Sequence, residues 1–146
     1  MNKPFSPTLY AQNDDAKNLV IDFLEANGFL AKVNPDQYGI DLLAKHLETN
    51  EKYELEVEVK HNWRGEMFQY PTLHFPGRKQ KFVKNSQQTV FFILNHERTH
   101  AYWVDGIVLS QSPIVTKDTI YTKNEQFIEV SLINCKVIDL SQPLVL

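Results

Sequence analysis

The sequence predicts an α/β domain with a central mixed sheet flanked by helices. Three observations point there. An apolar stripe at helical spacing runs from Ala16 to Leu24. Two β-type runs follow it, Ile40 to Lys45 and Tyr53 to Lys60, with a short polar turn between them. A brief basic segment then separates these runs from further β-branched and aromatic stretches.

Each element has a local reason. Met1 to Gln12 carries Pro4 and Pro7 and no periodicity, so residues 1–12 read as an N-terminal arm and 13–146 as one domain. Asn13 can cap a helix whose first turn holds Asp14 and Asp15, where carboxylates favour the positive end of the dipole. Ala16, Leu19, Val20, Phe23 and Leu24 form its buried stripe, and Gly28 falls where a left-handed terminator belongs. Phe29 to Val33 reads as a strand and Asn34-Pro35-Asp36 as a turn. Leu42, Leu43 and Ala44 suggest a second strand buried on both faces. In the third strand Tyr53, Leu55, Val57 and Val59 alternate with Glu54, Glu56, Glu58 and Lys60, which puts the four charged groups on one face. His61 to Gly77 reads as a long loop, Arg78 to Asn85 as a short helix, and Thr89 to Leu94 and His100 to Val104 as strands. Thr119 to Thr122, Phe127 to Leu132 and Lys136 to Leu140 are further strand candidates.

A single cysteine, Cys135, excludes an internal disulfide, and its apolar neighbours suit a buried, inert thiol. The chain shows no leader and no apolar run approaching about twenty residues, so an intracellular, cytoplasmic protein without a membrane span is expected. The net charge of −3 argues against nucleic acid only until it is resolved along the chain. Lys60, Arg64, Arg78, Lys79, Lys81 and Lys84 face a single acid, Glu66, giving a +5 stretch in a −8 background. Such a local basic surface is the footprint that phosphate binding needs.

The chemistry-bearing residues sit on the second and third strands. Asp41 interrupts the apolar run Ile-Asp-Leu-Leu-Ala, where an ionised carboxylate is costly unless it is paired, hydrogen-bonded or bound to a metal. Antiparallel pairing through Glu48 to Lys52 brings Asp41 to the same end of the ladder as Glu58 and Lys60. Asp41 and Glu58 then offer hard oxygen ligands suited to Mg2+ or Mn2+, with the backbone carbonyl of Val59 as a further ligand. Lys60, on the same side as Glu58, can orient an attacking water and offset negative charge in the transition state. Arg64, Arg78, Lys79, Lys81 and Lys84 are the expected phosphate contacts. Trp63, Phe68 and Tyr70 are aromatic groups able to stack on unpaired bases.

In their order over roughly Asp14 to Val104, the helix, Gly39-Ile-Asp41, Glu58-Val-Lys60 and the following helix and strand resemble the PD-(D/E)xK nuclease superfamily, with its restriction-endonuclease-like core. Asn27-Gly-Phe, Gly-Ile-Asp-Leu-Leu-Ala and Val-Glu-Val-Lys are most similar to the archaeal-type Holliday-junction resolvases and related small nucleases. The resemblance implies a Mg2+-dependent endonuclease, with Mn2+ able to substitute, that acts on DNA and selects junctions or branches. It makes Asp41 and Glu58 metal ligands and Lys60 the catalytic lysine. It also implies an acid from the first helix, for which Asp15, with Asp14 beside it, is nearest in position, although capping explains both without a metal. One site cuts one strand, so a homodimer is the arrangement that allows two cuts. The run Tyr70-Pro-Thr-Leu-His-Phe-Pro-Gly-Arg-Lys has no counterpart in that pattern.

Two other readings compete. His96-Glu97-Arg98-Thr99-His100 spells the H-E-x-x-H zinc-protease signature, but that chemistry requires a helix to aim both imidazoles at one metal. Here the motif lies between Thr89-Val-Phe-Phe-Ile-Leu and Ala-Tyr-Trp-Val, so a strand, turn and strand are expected. The other alternative is a nuclease-like fold that only binds nucleic acid or a protein.

Overall fold

A computed structural model describes residues 7–36, 39–82 and 88–146, with side chains of the first helix described from Asp15 onward. That helix, α1 (Pro7–Ala26), begins six residues before Asn13, so Asn13 lies within it rather than at its N-cap position. The start has a physical basis, since proline at the first helical position has a suitable fixed φ and no N–H left without a partner. Ala16, Val20, Phe23 and Leu24 are buried, as the stripe predicts, and Gly28 ends the turn at φ 86°.

The strands are β1 (Phe29–Val33), β2 (Leu42–His46), β3 (Lys52–Val59), β4 (Thr72–Pro76), β5 (Gln88–Leu94), β6 (His100–Asp105), β7 (Ile114–Lys117), β8 (Glu125–Ser131) and β9 (Lys136–Asp139). The central six-stranded sheet has the order β1-β2-β3-β5-β6-β9, and β4-β8-β7 form a separate three-stranded sheet. Among the described residues of the central sheet only β3 and β5 run parallel, so the sheet is mixed as expected.

Each face of the central sheet closes its own core. Leu55, Val57, Val59, Val90, Phe92, Leu94 and Trp103 pack beneath α1. Phe91, Ile93, Tyr102 and Val104 point the other way, against Phe75, Leu73, Ile128 and Val130 of the small sheet and Leu109 of the short helix α2 (Gly106–Ser110). This explains the unbroken apolar run Val90 to Leu94, for a strand covered on both faces has no position left for a polar alternation. β2 is different: Leu42 and Ala44 are buried but Leu43 is only half-buried, so it alternates rather than being covered on both sides.

The segment expected to be a long loop contains β4, which pairs with β8 in the register His74↔Glu129. The expected helix after it is a 3-10 helix, Gly77–Phe82. Thr119 to Thr122 forms a turn closed by the Thr119 hydroxyl rather than a strand. No helix among the described residues is long and apolar enough to cross a membrane.

Candidate active site

The β2/β3 ladder stops at Leu42 opposite Leu55, while β3 runs on beside β5 to Val59 opposite Leu94. At this fork two carboxylates replace the missing ladder bonds. The N–H of Val57 donates to Asp41 Oδ2 at 2.9 Å, and the N–H of Asp41 donates to Glu56 Oε2 at 3.0 Å. The structure thus brings Asp41 next to Glu56. Glu58 is exposed one same-face step farther along, about 7 Å by strand geometry, and Lys60 lies a second step beyond.

The approach to Asp41 is tightly held. Asn34 receives the end of the turn, its N–H donating to Asp41 O at 2.9 Å and its amide Nδ2 donating to Ile40 O at 2.9 Å. Gly39 fits because any Cβ there would come within 2.9 Å of that same Nδ2. Ile40 is buried, anchoring the chain immediately before the carboxylate.

Both acids already draw cations. Lys17 Nζ of α1 stands 3.4 Å from Asp41 Oδ1, and Lys79 Nζ of the 3-10 helix stands 2.6 Å from Glu56 Oε1. Glu56 is 6% exposed. Burial pushes its carboxyl above the ordinary carboxylate range against the pull of the Lys79 ammonium, and the neighbouring Asp41 charge pushes the same way. Asp15, the expected helix acid, is exposed, and it is Lys17 that reaches Asp41. Two positions apart on an α-helix is a rotation of about 200°, so the two side chains leave from nearly opposite sides.

Backbone alternation adds an acceptor. The Val57 N–H faces Asp41, while the Lys60 N–H faces β5 and bonds Leu94 O at 2.8 Å. The carbonyls of Val57 and Val59 therefore both open on the side that β2 vacates.

Of the expected phosphate contacts, Arg64, Arg78 and Lys81 are exposed, Lys79 turns inward to Glu56, and Lys84 lies outside the described residues. Lys81 Nζ lies 4.8 Å from the centre of the Phe82 ring. Trp63 and Phe68 are buried in the second core and are not available to bases, whereas Tyr70 is 54% exposed. The H-E-x-x-H segment is a turn, with Asn95 Oδ1 accepting the N–H groups of Thr99 and His100. His96 instead meets His61 at 3.4 Å between Nδ1 atoms. Among the described residues no three His, Cys, Asp or Glu side chains gather to hold a metal.

The roles of Glu56, Lys17 and Lys79 were not anticipated from the sequence. For Glu56 a signal existed: counting outward from the turn with Lys45 opposite Lys52 puts Asp41 opposite Glu56. For the lysines no local pattern exists, because tertiary packing alone brings them in.

The chain is thus a mixed α/β core with a helix over one face and an acidic fork between its second and third strands. Among solved structures, the chain is similar to Hjc, a Holliday junction resolvase of Archaeoglobus fulgidus, an archaeal hyperthermophile. The TM-score is 0.52 at 12% identity, covering 89% of this chain and 85% of that one. At that identity the likeness is one of fold. No family model matches the sequence, and no curated protein matches it.

Proposed function

We propose that this protein is a metal-dependent endonuclease acting on DNA, with Asp41 and Glu56 as the cation-binding pair. The observation that carries this reading is the bond from the Asp41 N–H to the Glu56 carboxylate, which sets the two acids side by side at the open end of β2/β3, in a fold shared with a junction resolvase. The donor set fits a hard divalent ion: two carboxylates, and a Val57 or Val59 carbonyl on the same side. Bound there, Mg2+ or Mn2+ would supply Lewis acidity to a phosphodiester and to water. Glu58 is the next acid along the same face, and with Asp41 and the Val59 carbonyl it remains part of the proposed set. Lys60, a second same-face step beyond Glu58, offsets charge on the phosphate strand beside the cut, while Lys79 and Lys17 hold the two carboxylates in place. Arg64, Arg78 and Lys81 offer exposed charge to the flanking phosphates, and two copies of the chain would supply the two cuts that a junction requires.

The test is cleavage of supercoiled, linear, single-stranded and branched DNA with Mg2+ or Mn2+. Loss of cleavage in Asp41→Asn and Glu56→Gln is the expected result. Undiminished cleavage in Lys60→Ala would remove that residue from the mechanism. One observation favours a second reading, a module that binds without cutting: Lys17 and Lys79 already neutralise the two acids. Binding of DNA with no cleavage in either metal would favour it.

A further inference from the structure

Beyond the acidic fork, the end of β3 opens into a concavity of about 390 Å3 lined by Lys60, Asn62, Tyr70, Thr72, His74 and Lys117, a volume within the range of small-ligand sites. Two ammonium groups reach it from different sheets, Lys60 from the end of β3 and Lys117 from β7. Lys60 Nζ lies 5.6 Å from the centre of the Phe68 ring, and Lys117 Nζ lies 4.6 Å from that of Phe127. Neither has a carboxylate within ion-pair distance among the described residues.

His74 positions the second of them. Its Nδ1 is 2.7 Å from Lys117 Nζ, and its Nε2 is 2.9 Å from Glu129 Oε2. An ammonium can only donate, so Nδ1 is the acceptor and Nε2–H donates to Glu129. The imidazole is then neutral, takes up the Glu129 carboxylate behind it, and aims the Lys117 charge at the concavity. At the rim, Tyr70 is held edge-on by the buried Phe68 at 5.4 Å between ring centres, leaving half of its surface to solvent. Two cations lining one concavity with a hydroxyl, an amide and an exposed aromatic ring match a phosphate joined to a flat base.

We infer that this concavity binds one unpaired nucleotide of the DNA strand, its phosphate between Lys60 and Lys117 and its base on Tyr70. The inference rests on the endonuclease reading and extends it to substrate structure. Lys60 is four residues from Glu56, about 13 Å of strand, so the held nucleotide lies a few positions from the phosphate at the acidic fork. A branch or frayed end supplies such a nucleotide and an intact duplex does not.

The experiment uses the full chain without divalent cation and measures fluorescence anisotropy with a short single-stranded oligonucleotide and with a duplex of equal length. Lys117→Gln and Tyr70→Ala are expected to weaken single-strand binding about fivefold or more, with duplex binding within twofold and Tyr70→Phe restoring it. For Lys117→Gln the log–log salt slope is expected to become shallower by about 0.7. Both sites are surface positions, and matching melting temperatures would confirm that the variants fold. Unchanged single-strand binding, or equal losses on both probes, would overturn the inference. Competition by dTMP alone as effective as the oligonucleotide would overturn it in favour of a free nucleotide. Wild-type cleavage with Mg2+ separates the two readings. Cleavage with no effect of these variants on binding leaves the nuclease and removes the pocket, whereas Tyr70-dependent binding without cleavage does the reverse.

Discussion

Asp41 is bonded to two successive residues of β3 at the point where β2 leaves it: the Asp41 N–H donates to Glu56 Oε2 at 3.0 Å, while Asp41 Oδ2 takes the N–H of the next residue, Val57, at 2.9 Å. The carboxylate of Asp41 therefore serves the fold as well as the proposed chemistry, and the two roles separate by substitution. Asp41→Asn keeps an oxygen acceptor for Val57, so stability should hold while cleavage falls by about 10²–10³-fold. Asp41→Ala strips the acceptor and should also cost about 1–3 kcal/mol. Urea unfolding beside a cleavage assay checks both. Equal destabilisation by Asn and Ala would mean that the Val57 bond contributes nothing.

The Lys79–Glu56 pair predicts a non-additive result. Glu56 is almost wholly enclosed while its partner keeps about a quarter of its side-chain exposure, so removing Lys79 leaves an uncompensated buried acid. Lys79→Ala should destabilise by about 1–3 kcal/mol, less than a fully buried pair would show because water reaches the ammonium. Adding Glu56→Gln should recover part of the loss. A double-mutant cycle by thermal or urea unfolding reads the coupling, and strict additivity would show that the two side chains do not interact in solution.

What the sequence made legible follows from how local each signal is. The α1 stripe and the alternation along β3 lie within single elements, so their periods could be read directly, whereas the two-sided burial expected of Leu42, Leu43 and Ala44 is found instead at Val90 to Leu94 of β5, because cover on the second face is tertiary. The acidic fork was half legible: the Glu58-Val-Lys60 spacing draws the eye, whereas the register that sets Asp41 opposite Glu56 emerges only by counting from the turn. β4 escaped because it carries a proline at its end and has no partner nearer than β8, some fifty residues on, so its strand character is conferred by pairing. Lys17 and Lys79 reach the site from a helix and a crossover whose placement no periodicity encodes.

Gly39 predicts how far the turn controls the fork. A methyl group at this position meets Asn34 Nδ2 at 2.9 Å, the same amide that donates to Ile40 O. Gly39→Ala must displace that amide and should cost about 1–3 kcal/mol, with cleavage reduced beyond what stability explains because Asp41 is shifted. Asn34→Ala removes both the obstacle and the bond. Combining the two should therefore cost less than the sum of the single variants, and purely additive losses would show that the methyl group strains something other than Asn34.

Cys135 gives a pH dependence with a definite sign. Burial pushes its thiol up to about 11 from an ordinary value of 9.0, and Sγ lies 3.5 Å from the Ser131 carbonyl. The folded protein thus holds this proton where the unfolded chain releases it. The contribution to stability is full below about pH 9 and is lost as pH rises from there through 11. Cys135→Ser lowers the group's acidity beyond this range, so the variant should lose less stability than the wild type between pH 9 and 11. Native protein should also react slowly with iodoacetamide at pH 8 and quickly once unfolded, since only the thiolate attacks. Rapid native alkylation at that pH would show the thiol to be neither shielded nor raised.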